Sequence, residues 1–248
     1  MTLLVSAHPA TAHGVPVAEP AWRWFAWFAQ ALRRVPGGLT LVLLGFTMLA
    51  PRAWDADTML RAAQAQGPQA LAGAKALQAV LAGIAGQDES AKLVAINQFF
   101  NRRIVFTPDA EAWGQTDYWA SPLELLAKGR GDCEDYVIGK YFSLLAAGVP
   151  VAKLRLVYVR ATIGGPGGEV LAHMVLAYYA TAGAEPLILD NLIGEMRPAA
   201  RRPDLEPVFS FNGEGLWQGV GAQAAGDPVA RLSRWREVLA KARAEGFP

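Results

Sequence analysis

The sequence predicts an α+β domain in which several helices precede an antiparallel sheet. Apolar residues recur at helical spacing in the first part of the chain, and short apolar runs typical of strands begin at residue 154. The 248 residues are 52% hydrophobic and 18% charged, which supplies a full core and is unlike a disordered segment. We therefore expect one domain behind a leader.

The leader is predicted over residues 1–53 and the domain over residues 54–248. Two arginines precede an uncharged run from Leu39 to Ala50, whose length suits a signal peptide and is short for a membrane span of about 20 residues. Cleavage is expected near Ala53 or Ala56. Export by a signal peptide is the main interpretation, and an aromatic-rich stretch before the run leaves an uncleaved membrane anchor open.

Three helices are predicted before the middle of the chain. Gln69 to Ile84 has apolar residues at helical spacing, and a second helix beginning at Asp88 is expected to continue until just before Pro108. Ser121 to Glu124 has the spacing of a capping box, with Gly129 closing a short helix.

The next helix is predicted to begin at Asp132 and to end at Gly148, so that Cys133 lies in its first turn. Strands and a terminal helix are expected after it. The predicted strands are Leu154–Val159, Val170–Tyr179, Leu187–Asn191, Val208–Phe211 and Gly215–Trp217, and the helix is Pro228–Ala244.

Cys133 is the only cysteine, which excludes an internal disulfide and a metal site built on several thiolates. At a helix start, unpaired backbone N–H groups and the helix dipole favour a thiolate. The same N–H groups could hold the oxyanion of a tetrahedral intermediate. The position therefore suits a nucleophile, although a lone cysteine can also be a small buried apolar residue.

A thiol nucleophile needs a base, and His173 is the only histidine outside the predicted leader. It lies within one predicted strand and Asp190 at the end of the next, where neighbouring antiparallel strands could place them side by side. The alternatives are a hydrogen-bonded core histidine and a turn aspartate.

Three carboxylates, Asp132, Glu134 and Asp135, flank Cys133 and would raise its pKa by repulsion unless something offsets them. They could cap the helix, or they could bind a hard cation, most naturally Ca²⁺ outside the cytoplasm. The formal net charge of only +1 gives no broad field for binding nucleic acid.

Several of these segments together resemble the bacterial transglutaminase-like cysteine proteinases. The matching segments are Tyr118–Glu124, Gly131–Tyr136, Ala172–Val175 and Leu187–Asn191. The resemblance implies a papain-like fold, with a nucleophilic cysteine at a helix N-terminus packed on a sheet that carries the histidine and the aspartate. It makes Cys133 the nucleophile, His173 the base and Asp190 the residue that orients the base.

The resemblance also implies a calcium ion near Asp132, Glu134 and Asp135. The expected enzyme is a periplasmic thiol protease that cleaves the N-terminal region of a large surface adhesin, usually beside paired alanines, and so promotes biofilm dispersal. Its expected inhibitor is the periplasmic domain of a membrane receptor that senses cyclic di-GMP. An exposed tryptophan contacts that receptor, for which Trp119 is the first candidate and Trp113 the second.

Three alternatives remain open at the level of sequence. The same triad could pass the acyl group to an amine, as a transglutaminase does, because the sequence does not show whether water or an amine reaches the acyl-enzyme. A calcium-dependent binding module could keep the fold without turnover. The aromatic stretch in the leader would suit an anchoring protein.

Overall fold

The computed structural model describes residues 54–221 and 223–248. The predicted leader, residues 1–53, lies outside the described residues. Within these ranges, no helix combines the length and apolarity needed to cross a bilayer. The helices are α1 (Ala56–Gln66), α2 (Pro68–Gly83), α3 (Glu89–Arg103), α4 (Asp109–Ala112), α5 (Pro122–Lys128), α6 (Cys133–Ala146), α7 (Pro228–Arg231) and α8 (Ser233–Ala244).

Within the described ranges, nine strands form two sheets. The strands are β1 (Val105–Phe106), β2 (Arg130–Gly131), β3 (Leu154–Ile163), β4 (Glu169–Tyr178), β5 (Leu187–Leu189), β6 (Arg197–Pro198), β7 (Leu205–Phe211), β8 (Leu216–Gln218) and β9 (Ala224–Gly226). Seven of them form an antiparallel sheet in the order β6-β5-β4-β3-β7-β8-β9, while β1 and β2 pair in parallel as a separate two-stranded unit. The predicted α+β class is confirmed.

The main core lies between the helices and one face of the large sheet. Alternate residues of β3 and β4, such as Leu156 and Met174, enter this core. The intervening residues, such as Val157 and Val175, form a smaller cluster on the opposite face. This division follows from the two-residue period of a strand, and it leaves α6 packed directly behind β4.

Two predicted helices end differently in the structure. The helix that begins after Asp88 ends at Arg103, because the backbone N–H groups of Val105 and Thr107 donate to Gly129 and Gly131 at 3.0 and 2.9 Å. The terminal helix is interrupted at Leu232, whose backbone is extended. Helix α1, which precedes the first predicted helix, was not predicted from the sequence.

Candidate active site

Cys133 is the first residue of α6, as predicted, and is partly exposed. The preceding segment fixes this position. Ser121 and Glu124 form the predicted capping box of α5, and Gly129 ends that helix in the left-handed conformation at φ 67°. Gly131 must be a glycine because an added Cβ would lie 2.3 Å from Asp135 Oδ2. The chain therefore enters α6 through a tightly packed turn.

His173 and Asp190 meet at the other side of the site, as predicted. The ring Nε2 of His173 lies 2.8 Å from Oδ1 of Asp190. Both residues are almost completely buried, with 5% and 1% of their surfaces exposed. With Asp190 ionised, Nε2 is the donor, which leaves Nδ1 to accept a proton.

The strand that carries His173 also contacts the nucleophile. The backbone N–H of Met174, the next residue, is close enough to the Cys133 sulfur to favour its thiolate form. The N-terminus of α6 with Cys133 therefore packs against β4, the strand that carries His173, while Asp190 directly follows β5. His173 and Asp190 thus form a pair, and Cys133 lies beside the strand that carries His173. The catalytic roles of the three residues stay a prediction.

A fourth residue, Arg202, was not foreseen. Its Nη2 donates to Asp190 Oδ2 at 2.8 Å and to Asp204 Oδ2 at 2.8 Å, and only 3% of Arg202 is exposed. Burial alone would raise the pKa of Asp190. The hydrogen bond and charge of His173, followed by hydrogen bonds from the Leu192 backbone N–H and from Arg202, lower it to about 2. Arg202 therefore contributes, with His173 and Leu192, to keeping Asp190 charged, which preserves the acceptor for His173.

A cluster of carboxylates surrounds the start of α6. Ligand oxygens of Asp109, Asp132 and Asp135 lie within 4.8 Å of one another, as do those of Asp109, Asp117 and Glu134. Asp109 and Asp117, from α4 and the loop after it, were not among the predicted ligands. No sequence motif links them to residue 132, because the fold alone brings them together.

The cluster has the properties of a cation site rather than of a helix cap. The side chain of Asp132 makes no capping hydrogen bond, although it occupies the N-cap position. Oδ1 of Asp132 and Oδ1 of Asp109 are buried without a hydrogen-bond partner in the described part of the chain. Burial and the charge of Glu134 raise the pKa of Asp132 to about 10. A hard divalent cation would satisfy these oxygens and this charge.

Asp135 is engaged differently from the other predicted ligands. Its Oδ1 accepts from the backbone N–H of Ala120 at 2.8 Å, and its Oδ2 accepts from Trp113 Nε1 at 3.1 Å. The side chain is fully buried. Asp135 therefore ties the segment before α5 to α6, and any contribution to a cation site is in addition to that role.

The electrostatics of the thiol depend on the same cluster. Burial, followed by the charges of Glu134 and Asp132, raises the pKa of Cys133. The Sγ–H group donates to Oε2 of Glu134 at 2.9 Å. The helix position is thus as predicted, but the neighbouring carboxylates oppose thiolate formation. A calcium ion held by Asp109, Asp117, Asp132 and Glu134 would supply positive charge that offsets them.

Trp119 is half-buried. Its ring stacks on Phe211 with centroids 5.8 Å apart, and its Nε1 donates to Asp117 Oδ1 at 3.1 Å. Trp113 is also half-buried, with Lys128 Nζ 5.1 Å from its ring centroid. The predicted role of Trp119 in partner binding stays a prediction.

Known proteins resemble this chain in both sequence and structure. The family described as bacterial transglutaminase-like cysteine proteinase matches residues 74–203. EGTA-treated LapG of Legionella pneumophila is 34% identical, with a TM-score of 0.67, over 77% of this chain and 100% of that chain. Calcium-bound LapG from the same organism is 34% identical, with a TM-score of 0.64, over 75% and 98% of the two chains. Among curated proteins, none matches the sequence.

Proposed function

The chain belongs to the bacterial transglutaminase-like cysteine proteinases and is a cysteine peptidase, and we propose that it is a calcium-dependent endopeptidase of the periplasm. Its proposed substrate is the N-terminal region of a large surface adhesin, whose release promotes biofilm dispersal. The observation that supports this proposal best is the hydrogen bond between His173, on the strand next to Cys133, and Asp190, which follows β5. The adhesin and the compartment are carried over from the family resemblance.

The proposed mechanism gives each residue of the triad a role. His173 Nδ1 takes the proton of the Cys133 thiol, and the sulfur attacks the scissile carbonyl. The backbone N–H of Cys133 at the start of α6 faces the developing oxyanion. His173 then gives its proton to the leaving amine, and water hydrolyses the resulting thioester. Asp190, itself held by Arg202, orients the neutral imidazole and stabilises the imidazolium that forms when His173 takes the proton.

Calcium dependence is supported by the unpartnered oxygens of Asp109 and Asp132. It is also supported by the existence of calcium-bound and EGTA-treated forms of the Legionella relative. The ion would be held by Asp109, Asp117, Asp132 and Glu134, with Asp135 behind them. Since two of these flank Cys133, removing the ion should reduce thiolate formation as well as stability.

Regulation is proposed to act through a membrane receptor that senses cyclic di-GMP and binds the protease through its periplasmic domain. Trp119 is the proposed contact. Its hydrogen bond to Asp117 connects it to the carboxylate cluster. Replacing Trp119 with alanine should weaken receptor binding and leave cleavage of the adhesin largely intact.

The deciding experiment incubates the chain with an adhesin N-terminal fragment that contains paired alanines, with calcium or with EGTA, and sequences the new N-termini. Cleavage that requires both calcium and Cys133, tested with Cys133→Ala, supports the proposal. Release of ammonia without new N-termini would indicate a transglutaminase. A folded, calcium-loaded chain that leaves every such fragment intact, and whose cysteine resists thiol-directed probes, would indicate a binding module.

A further inference from the structure

Strand β4 is covered on only part of its outer edge. On one side it pairs with β3 along its whole length, from Glu169 to Tyr178. On the other side β5 pairs only with the segment from Leu176 to Tyr178. In the described part of the chain, no strand pairs with the edge from Glu169 to Val175, and residues 169–172 are all exposed. We call residues 169–175 on this side the open edge.

The register shows which backbone groups point to the open edge. Tyr179 N–H donates to Lys153 O at 2.8 Å, so the odd-numbered residues of β4 face β3. On β3, Thr162 N–H donates away from β4, to Asp204 O at 2.8 Å, in agreement with this alternation. Val170, Ala172 and Met174 therefore direct their N–H and C=O groups to the open edge.

These groups lead directly to the nucleophile. The N–H of Met174 is the one that faces the Cys133 sulfur. Ala172 and Val170 extend the same row by steps of roughly 7 Å, two residues each. Among the described residues, no hydrogen bond engages the outward groups of Val170 or Ala172. The outward N–H and C=O groups of Val170 and Ala172 are thus free to pair with another strand, and the row that they form leads to the Cys133 sulfur.

We propose that the open edge of β4 binds the substrate as an added strand, with its scissile carbonyl delivered to Cys133. This inference rests on the proposed peptidase function and names the form of substrate that the site takes. Main-chain pairing would supply affinity with little dependence on side chains, as in other cases of strand addition. The continuity of the edge with the nucleophile identifies the occupant as the substrate polypeptide.

The proposal defines a substrate class. A segment can pair with the edge only if its own N–H and C=O groups are free, which excludes residues inside a helix or a sheet. Exposed apolar side chains lie beside the edge, with Glu169 at its far end: Val170 is 50% exposed, Leu171 44% and Leu192, just after Asp190, 49%. The substrate is therefore an extended, locally unfolded segment with apolar residues that can contact these side chains.

The test compares Val170→Pro with Val170→Ala. Proline removes the outward N–H of residue 170 and should leave pairing with β3 intact, since that N–H does not face β3. Alanine shortens the side chain but keeps the N–H. Cleavage of the adhesin fragment by V170P should fall about tenfold or more in kcat/KM, mainly through KM, and fall much less in V170A. Labelling of Cys133 by iodoacetamide should proceed at similar rates in both variants.

Hydrogen exchange gives a second readout that does not depend on mutation of the edge. In Cys133→Ala, the cleavable peptide should slow amide exchange at Val170 and Ala172 while leaving Leu171 and His173, already paired with β3, unchanged. Peptide binding without protection at Val170 and Ala172 would overturn the proposal. So would full activity of a folded V170P variant, or a concentration-dependent dimer that alone protects these amides.

Failure of the proposed function is separable. If the wild-type chain leaves adhesin fragments intact but cleaves unfolded casein in a Cys133-dependent manner, the adhesin assignment fails. The same V170P and V170A comparison on casein then decides the strand-addition proposal. If neither polypeptide is cleaved in a Cys133-dependent manner, both proposals are wrong.

Discussion

At the scale of single residues, Arg202 is expected to influence the charge of Asp190 and, through it, the orientation of His173. Replacing it with methionine leaves Asp190 buried with one charged partner fewer. We expect kcat to fall at least tenfold with a small change in KM, and the protein to lose about 3–5 kcal/mol of stability, the typical cost of breaking a buried pair. Steady-state kinetics and denaturant unfolding measure the two effects.

The pH profile distinguishes this role from simple loss of stability. Without Arg202 the pKa of Asp190 rises, so Asp190 becomes protonated at a higher pH and no longer accepts from His173. The acid limb of kcat/KM should therefore move to higher pH in R202M. Asp204→Asn is the matched control, because it removes the other partner of Arg202 and leaves the contact with Asp190. An unchanged acid limb in a folded R202M would contradict the role.

The sequence predicts a site residue when its type is rare in the chain or when the residues next to it form a recognisable pattern. Cys133 is the only thiol, and Asp132 precedes a clear helical pattern, so the nucleophile and its helix follow from sequence. Arg202 and Asp109 resemble ordinary surface charges. Their burial, at 3% and 4% exposed, results from contacts with residues distant in the chain, which no local pattern encodes.

At the scale of elements, Glu245 joins the end of the chain to the helix before the nucleophile. It follows α8 and accepts from the hydroxyl of Ser121 and from the backbone N–H of Leu123 at 3.1 Å. The capping box of α5 was predicted from Ser121 and Glu124, but this second acceptor was not. The spacing of 124 residues to Ser121 explains why, since only the tertiary fold places α8 beside α5.

The charge of Glu245 gives a pH dependence of stability. Burial raises its pKa from 4.5 to about 7. The folded state therefore keeps this proton while the unfolded state releases it, so the contribution is full below pH 4.5 and is lost as the pH rises to 7. The loss is about 3 kcal/mol at most.

Glu245→Gln should remove this dependence because glutamine does not titrate. As the pH rises from 5 to 8, the unfolding free energy of the wild type should fall by more than that of E245Q. Urea unfolding at several pH values measures it. Glu237→Gln, on the exposed surface of the same helix, serves as the control. Parallel pH curves for E245Q and the wild type would contradict the assigned pKa.

At the scale of the whole molecule, the sequence predicted the order of helices and strands better than the contacts between them. The pattern after residue 154 gave β3, β4 and β5 in the right order, since a two-residue period is local information. It could not show that β5 covers only three residues of β4. That difference creates the open edge, and it depends on how far the β5 segment follows β4 in space.

Calcium is expected to couple α4 and the loop after it to the start of α6, because ligands from both would hold the ion. The carboxylate cluster joins α4 and the following loop, through Asp109 and Asp117, to the start of α6. A cation that binds only the folded state stabilises it by about 1.4 kcal/mol for each tenfold rise above Kd. For a domain of this size, Tm should therefore rise by about 4 °C per tenfold increase in calcium, and EGTA should reverse the rise.

Variants of the cluster identify the site. Asp109→Asn and Asp132→Asn should each weaken calcium binding and shrink the rise in Tm. Each removes the charge of a carboxylate whose Oδ1 has no hydrogen-bond partner among the described residues. Asp88→Asn should respond like the wild type, since Asp88 caps α3 outside the cluster and asparagine also caps. Calorimetry with calcium and with magnesium measures both affinity and selectivity. If Asp109→Asn binds calcium like the wild type, the ion lies elsewhere. If Asp109→Asn no longer binds calcium, the ion links α4 to the helix that carries Cys133. Stability and activity would then depend on the same site.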